Sequence, residues 1–187
     1  MRIAVLSGNP KTEGLTQSII DAVELGASAS GAEIDEIRLC DLGLQACRVC
    51  GGGWGTCRTE HYCTYGSDGF DAARARVGAS DAIVIASPVY WGETSEALKS
   101  FLDRLRRCEF SQSGALRGKQ ALLVAVPGGS GNGMLSCLEQ MDRFCRHTGA
   151  VIFDCLGVNR WNSDYKRVAA RAAGAALAAG RKNGDTV

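Results

Sequence analysis

Ala82-Ile83-Val84-Ile85-Ala86, Ser87-Pro88-Val89-Tyr90-Trp91-Gly92, and then Glu93 to Arg107 form the stretch that decides the fold. The first five residues are apolar and rich in β-branched side chains, as in a strand buried on both faces. Pro88 cannot donate to a sheet ladder and Gly92 frees the backbone to turn, so the strand is expected to end at Ser87. A helix should follow, with Ala97, Leu98, Phe101, Leu102 and Leu105 on one face and Glu93 and Glu96 in its first turn, where the dipole favours anions. Two adjacent large aromatics on a strand-end loop are poor filler and well placed to flank a flat ring.

The same alternation repeats on both sides of this stretch. Ile3 to Leu6 is an apolar strand leading into a hydroxyl- and glycine-rich loop, and a helix follows with Leu15, Ile19 and Val23 on one side. Ala32 to Leu39 mixes charges with Ile34 and Ile37, as a half-exposed edge strand does. Phe70 to Val77 reads as a short helix. Ala121 to Val126 is another buried strand, closed by Pro127-Gly128-Gly129-Ser130-Gly131-Asn132-Gly133, and Met134 to His147 is helical. Val151 to Leu156 is a fifth strand. An alanine-rich helix runs from about Tyr165 to Arg181, with Gly180 as a stop and Lys182 to Val187 frayed. Five strands alternating with helices, with no repeat or linker, predict one α/β domain over residues 1–187. Its architecture is a doubly wound parallel sheet with helices on both faces. Ligands bind such sheets at the carboxyl ends of the strands, where the three unusual loops lie.

Composition narrows the function. A hydrophobic fraction of 45% with 22% charged residues is that of a globular protein, and a net charge of +1 gives no footprint for nucleic acid or anionic membrane. The apolar run after Met1 is too short for a signal peptide, which predicts a cytoplasmic protein. Nine cysteines are many for such a domain. Cys108, Cys137, Cys145 and Cys155 fall on predicted helices and a strand, where a cysteine is usually a small buried hydrophobe. Cys40, Cys47, Cys50, Cys57 and Cys63 crowd into residues 40–69 together with seven glycines and no clear periodicity. In a reducing compartment this points to metal or redox chemistry rather than a disulfide framework.

The first loop, Gly8-Asn9-Pro10-Lys11-Thr12-Glu13-Gly14-Leu15-Thr16, suits an anion, because backbone N–H groups converge at a helix N-terminus beside side-chain donors and Lys11. A capped strand-to-helix turn is the plainer reading. It is neither a Walker A loop nor a GxGxxG fingerprint.

These residues carry a resemblance. The first loop is similar to the G-S-P-R-x-x-G-N-T phosphate loop of the NADPH-dependent FMN reductase group of flavodoxin-like proteins, with Asn9 in place of a serine and Leu15 in place of an asparagine. Ser87 to Gly92, with Leu98-Lys99-Ser100-Phe101-Leu102-Asp103-Arg104, resembles that group's S-P-V-Y-W-G and L-K-x-F-x-D-R pattern. Pro127 to Gly133 resembles its third, glycine-rich loop. The resemblance implies a flavodoxin-like fold binding FMN. The phosphate end would be held by Ser7, Asn9, Lys11, Gly14, Leu15 and Thr16. The isoalloxazine would lie among Pro88, Val89, Tyr90, Trp91, Gly92, Pro127, Gly128, Gly129 and Gly133. No general acid or base stands out, since the flavin carries the chemistry.

Cys47-x2-Cys50-x6-Cys57-x5-Cys63 resembles the compact motif of the iron–sulfur flavoproteins, C-x2-C-x2-C-x4–7-C, with four extra residues in the middle, as if Gly51 to Trp54 were inserted. The resemblance implies a [4Fe–4S] cluster on these four thiols. A zinc site, with His61 as an alternative ligand, and metal-free thiols remain open. The expected function is an FMN-dependent oxidoreductase or electron-transfer protein working between cluster and flavin. Its donor would be NAD(P)H or ferredoxin, its acceptor a small molecule or a protein, and its assembly a homodimer or homotetramer. The alternatives are a cluster-free NAD(P)H-dependent FMN or quinone reductase and a zinc-stabilised, non-catalytic binding module.

Overall fold

In a computed structural model, the described residues are 1–110, 114–129 and 131–180. Five strands, β1 (Arg2–Ser7), β2 (Glu33–Arg38), β3 (Ala82–Val89), β4 (Gln120–Pro127) and β5 (Val151–Gly157), form one sheet in the order β2-β1-β3-β4-β5. Every pairing is parallel. Six helices connect or flank the strands: α1 (Leu15–Ala29), α2 (Thr56–Thr59), α3 (Phe70–Gly78), α4 (Glu96–Cys108), α5 (Met134–Thr148) and α6 (Ser163–Ala179). This is the doubly wound order expected of a flavodoxin-like fold.

Alternate residues of each central strand feed two separate cores. On one face Leu6, Ile83, Ile85 and Leu123 meet Phe70, Phe101, Leu105 and Met141 of α3, α4 and α5. On the other Val5, Val84, Val124 and Leu156 meet Ile19, Val23, Ala170 and Leu177 of α1 and α6. Helices α1 and α6 cross closely through two glycines. A Cβ on Gly26 would lie 1.9 Å from the Arg171 carbonyl oxygen, and one on Gly174 would lie 2.0 Å from that of Val23. Chain order then places the site. The chain leaves β1 for α1 on one face and β3 for α4 on the other, so adjacent strands release their loops in opposite directions and open a crevice at their carboxyl ends.

Several expectations need correction. Strand β3 does not stop at Ser87 but continues through Val89, paired with β4 as far as Val89 and Pro127. Its pairing with β1 ends at Ala86, so Pro88 sits where one flank has no ladder left to break. Helix α4 starts at Glu96, capped by the Ser95 hydroxyl, which accepts from the Leu98 N–H; Glu93 lies outside it. Helix α6 begins two residues earlier than Tyr165 and ends at Ala179 with Gly180 as its C-cap, short of Arg181; the expected frayed tail falls outside the described residues. Cys155 is exposed on the edge strand β5, whereas Cys108, Cys137 and Cys145 are buried as expected, and burial pushes all three thiols up to about 12. No helix among the described residues is long and apolar enough to cross a membrane.

Candidate functional site

At the carboxyl ends of β1, β3 and β4 lies a cavity of about 240 Å³. Asn9, Lys11, Gly14, Leu15 and Thr16 line it from the first loop, Pro88, Val89 and Tyr90 from the second, and Pro127 and Gly128 from the third. Three loops far apart in sequence thus enclose one space, and Glu13, which the sequence reading passed over, joins them. No side chain caps α1, and its N-cap Gly14 has φ of +95° with open space where a Cβ would be. The first-turn N–H groups are therefore left for an anion, beside the Lys11 ammonium and the Thr16 hydroxyl. That donor set fits a phosphate.

Asn9 also braces the loop it belongs to. Its side-chain N–H₂ donates to the Lys11 carbonyl at 2.7 Å and to Gln17 Oε1 at 3.2 Å, and its own Oδ1 accepts from the Lys11 N–H at 3.4 Å. The buried amide shapes the loop from within. Ser7 is buried beneath the loop, and its hydroxyl has no hydrogen-bond partner among the described residues. Gly133 does not line the cavity but braces its wall. A Cβ there would lie 2.5 Å from Gly92 Cα, so the second and third loops touch through two glycines. Gly129 faces open space with φ of +46°.

The aromatic pair divides. Tyr90 and Glu93 exchange backbone hydrogen bonds at 2.9 and 3.0 Å, closing a two-residue turn with φ of +53° at Trp91 and +85° at Gly92. This is the arrangement of a type I′ turn, in which a tryptophan is strained. Tyr90 borders the cavity, while Trp91 is fully exposed at the turn's tip.

Tyr90 and Pro10 also border a second, open cavity of about 630 Å³, lined by Cys40, Leu44, Gln45 and Ala46 on one side and Ser95 and Glu96 on the other. Its wall after β2 had no periodic signal in the sequence. Burial and the neighbouring Asp41 push the Cys40 thiol up, and its Sγ reaches the Gly8 carbonyl at 3.7 Å.

Ala46 belongs equally to a third cavity, and there the cysteines converge. Cys47, Cys50, Cys57 and Cys63 all line it, together with Arg48, Arg104 and Arg107 and no carboxylate. It is small, about 20 Å³, about the room of one water. Among the described residues no three His, Cys, Asp or Glu side chains are grouped closely enough for a single metal ion. Gly51, Gly52 and Gly53 take positive φ, and a Cβ on any of them would meet nothing within 4 Å. Four thiols among guanidiniums supply the donor chemistry of a thiolate-ligated group, in a space that as it stands holds about one water.

The loop is fastened from α4 and beyond. Arg107 Nη1 donates to the Gly53 carbonyl, and its guanidinium lies 5.0 Å from the Trp54 ring centroid. Trp54 also packs edge-on against Phe110 at 4.8 Å. His61 turns its Nδ1 to the Cys108 carbonyl at 3.0 Å rather than toward the thiols' cavity, which it does not line. The buried Arg104 forms an ion pair with Asp68 at 2.7 Å. Burial works against charge on Asp68, but hydrogen bonds from Arg104, Gln45 and Phe70 outweigh it and hold the carboxyl below its usual range.

The model of a family described as NADPH-dependent FMN reductase matches residues 1–163. An iron–sulfur flavoprotein of Methanosarcina thermophila is 33% identical over 155 residues, covering 81% of this chain and 76% of that protein. An iron–sulfur flavoprotein of Methanocaldococcus jannaschii is 29% identical over 144 residues, covering 77% and 71%. Among solved structures, an NAD(P)H:quinone oxidoreductase from Methanothermobacter marburgensis superposes with a TM-score of 0.68 at 14% identity, covering 95% of this chain and 96% of that one. A flavodoxin from the domain Archaea gives 0.61 at 14% identity, covering 95% and 96%. At such identities the structures speak to the fold alone, which is flavodoxin-like.

Proposed function

The chain belongs to the NADPH-dependent FMN reductase family and is an FMN-dependent oxidoreductase, and from that premise we propose that it carries a second redox centre, a [4Fe–4S] cluster on Cys47, Cys50, Cys57 and Cys63. One observation carries the proposal: all four thiols of the motif line a single cavity, with three guanidiniums and no carboxylate. The names of the relatives from Methanosarcina and Methanocaldococcus support it.

In this reading Lys11, Thr16 and the free N–H groups of α1 hold the FMN phosphate. Pro88, Val89, Tyr90, Pro127 and Gly128 hold its ring, and Asn9 and Gly133 hold the loops in place. When bound, FMN interconverts two-electron and one-electron chemistry, and a cluster exchanges electrons singly. The residues' part is to fix the ring's orientation, keep water from its buried face and present main-chain N–H groups to it. Chemistry with a ferredoxin-like donor is the expectation, with a small molecule or protein as acceptor and a homodimer or homotetramer as the assembly. A second reading, a cluster-free NAD(P)H-dependent reductase, draws on the small size of the cysteine cavity.

Anaerobic purification followed by an absorption spectrum and by flavin, iron and sulfide assays on one sample decides between them. The proposal expects one FMN and four irons per chain, with iron lost on Cys57→Ser while FMN stays. Flavin without iron, even after anaerobic reconstitution, overturns the cluster and leaves the second reading.

A further inference from the structure

Arg104 differs from the other cations of the cysteine cavity in its burial and in what it touches. Its side chain is only 2% exposed. Nη1 donates to the Gln45 carbonyl at 3.1 Å and to Asp68 Oδ2 at 2.7 Å. Nη2 donates to the Tyr65 carbonyl at 2.8 Å, to Asp68 Oδ1 at 3.1 Å and to Cys63 Sγ at 3.4 Å. The Phe70 ring lies beneath the guanidinium, 4.2 Å from its centroid. A planar fork held at this many points cannot swing away, so its contact with the sulfur is fixed by its surroundings.

A simple staple between α4 and the loop requires the carbonyls and the carboxylate, but not the sulfur. We propose that Arg104 is a positioning residue for redox chemistry: it aims Cys63 Sγ into the cavity and, by donating to that sulfur, raises the reduction potential of the group Cys63 ligates. The physical reason is that reduction adds negative charge, and a hydrogen bond or fixed cation at a ligating sulfur stabilises the reduced form more than the oxidised one. Low solvent access strengthens the effect, because little water screens the guanidinium. This inference rests on the cluster reading above.

The test is potentiometry on anaerobically reconstituted protein, following the cluster by electron paramagnetic resonance, for the wild type, Arg104→Gln, Arg104→Lys and Asp68→Asn. FMN content and far-ultraviolet circular dichroism accompany each sample. Arg104→Gln should shift the one-electron equilibrium about tenfold toward the oxidised form, a potential about 59 mV lower. Arg104→Lys should recover most of that shift, because it restores a cation and a donor. Asp68→Asn, which loosens the staple but leaves the donor to sulfur, should shift it less than Arg104→Gln. If Arg104→Gln alone fails to take up iron while its FMN content is unchanged, the positioning half is supported, and Arg104→Lys and Asp68→Asn carry the comparison of potentials. Equal potentials in the wild type and Arg104→Gln, both loaded, overturn the role of Arg104 and leave the cluster reading intact. A wild type that takes up no iron overturns the cluster reading itself and this inference with it.

Discussion

The proposed flavin cavity and the cysteine cavity belong to one domain but are made of different material. The first is made of main chain: strand ends, a helix N-terminus without a side-chain cap, and two glycines in contact. Its side chains decorate a shape that the fold already supplies. The second is made of side chains. Its loop has only short helical turns, and it is held by Arg104 reaching across 36 to 59 residues of sequence to Asp68, Tyr65, Cys63 and Gln45, and by Arg107 and Trp54. The flavin half should therefore tolerate loss of single side chains, while the cysteine half should fail at a single one.

Asp68→Ala tests this most severely. It leaves a buried guanidinium without its counter-ion, which costs about 3 kcal/mol. Urea denaturation should register that loss, and amide exchange should show residues 45–68 losing protection while β1 and α1 keep theirs. Equal loss of protection in both regions would erase the contrast. Thr16→Val should leave stability nearly unchanged and weaken FMN binding close to tenfold, the value of about 1.5 kcal/mol for one hydrogen bond to a charged group. Flavin fluorescence titration measures it, and a loss a thousandfold deep would make the flavin side as dependent on one side chain as the other.

Trp91→Gly sharpens the contrast differently. Trp91 holds a left-handed φ with its ring in solvent, so glycine should stabilise the fold by about 1 kcal/mol. FMN affinity should stay within a factor of about two. A large loss of affinity would make the exposed ring part of the flavin wall. The smallest effect concerns Glu24 on α1. Burial first, then Glu36 and Asp21, raise its pKa from 4.5 to about 7. An acid whose folded pKa is raised binds a proton that the unfolded chain has already lost. Its contribution is thus most favourable below pH 4.5 and becomes less favourable as the pH rises to about 7. Glu24→Gln should raise the melting temperature slightly at pH 8 and leave it unchanged at pH 4. A change in FMN affinity in the same variant would tie the flavin loop to side-chain charge further along its helix.

The sequence made the fold and the three loops that share one cavity legible for the same reason. Runs such as Ala121 to Val126 are apolar because both faces are buried, and glycine loops mark strand ends, so periodicity and punctuation carry the architecture. Pro88 misled, because its effect depends on which neighbour still pairs at that height of the sheet, and that is a tertiary fact. Trp91 was less legible, since nothing in the sequence marks the left-handed turn that leaves its ring in solvent. In residues 40–69 the spacing of the cysteines was plain, but what fastens them was not. Arg104 reads as one more charge on an amphipathic helix, and only its burial reveals the contacts with a loop far away in sequence. Asn9 belongs to the same class, since its residue type suggested a ligand donor and only its hydrogen bonds add the part of a loop brace.

The direction of those long contacts has a consequence for biosynthesis. The ribosome makes Cys47, Cys50, Cys57 and Cys63 first, and Arg104 follows Cys63 by 41 residues. Until α4 has emerged and settled against the sheet, the thiols belong to a loop without its fastener, open to oxidants and to stray metal ions. The cavity is thus complete only after α4 has been made, and a factor that shields or loads those sulfurs has its widest opportunity on the nascent chain before then.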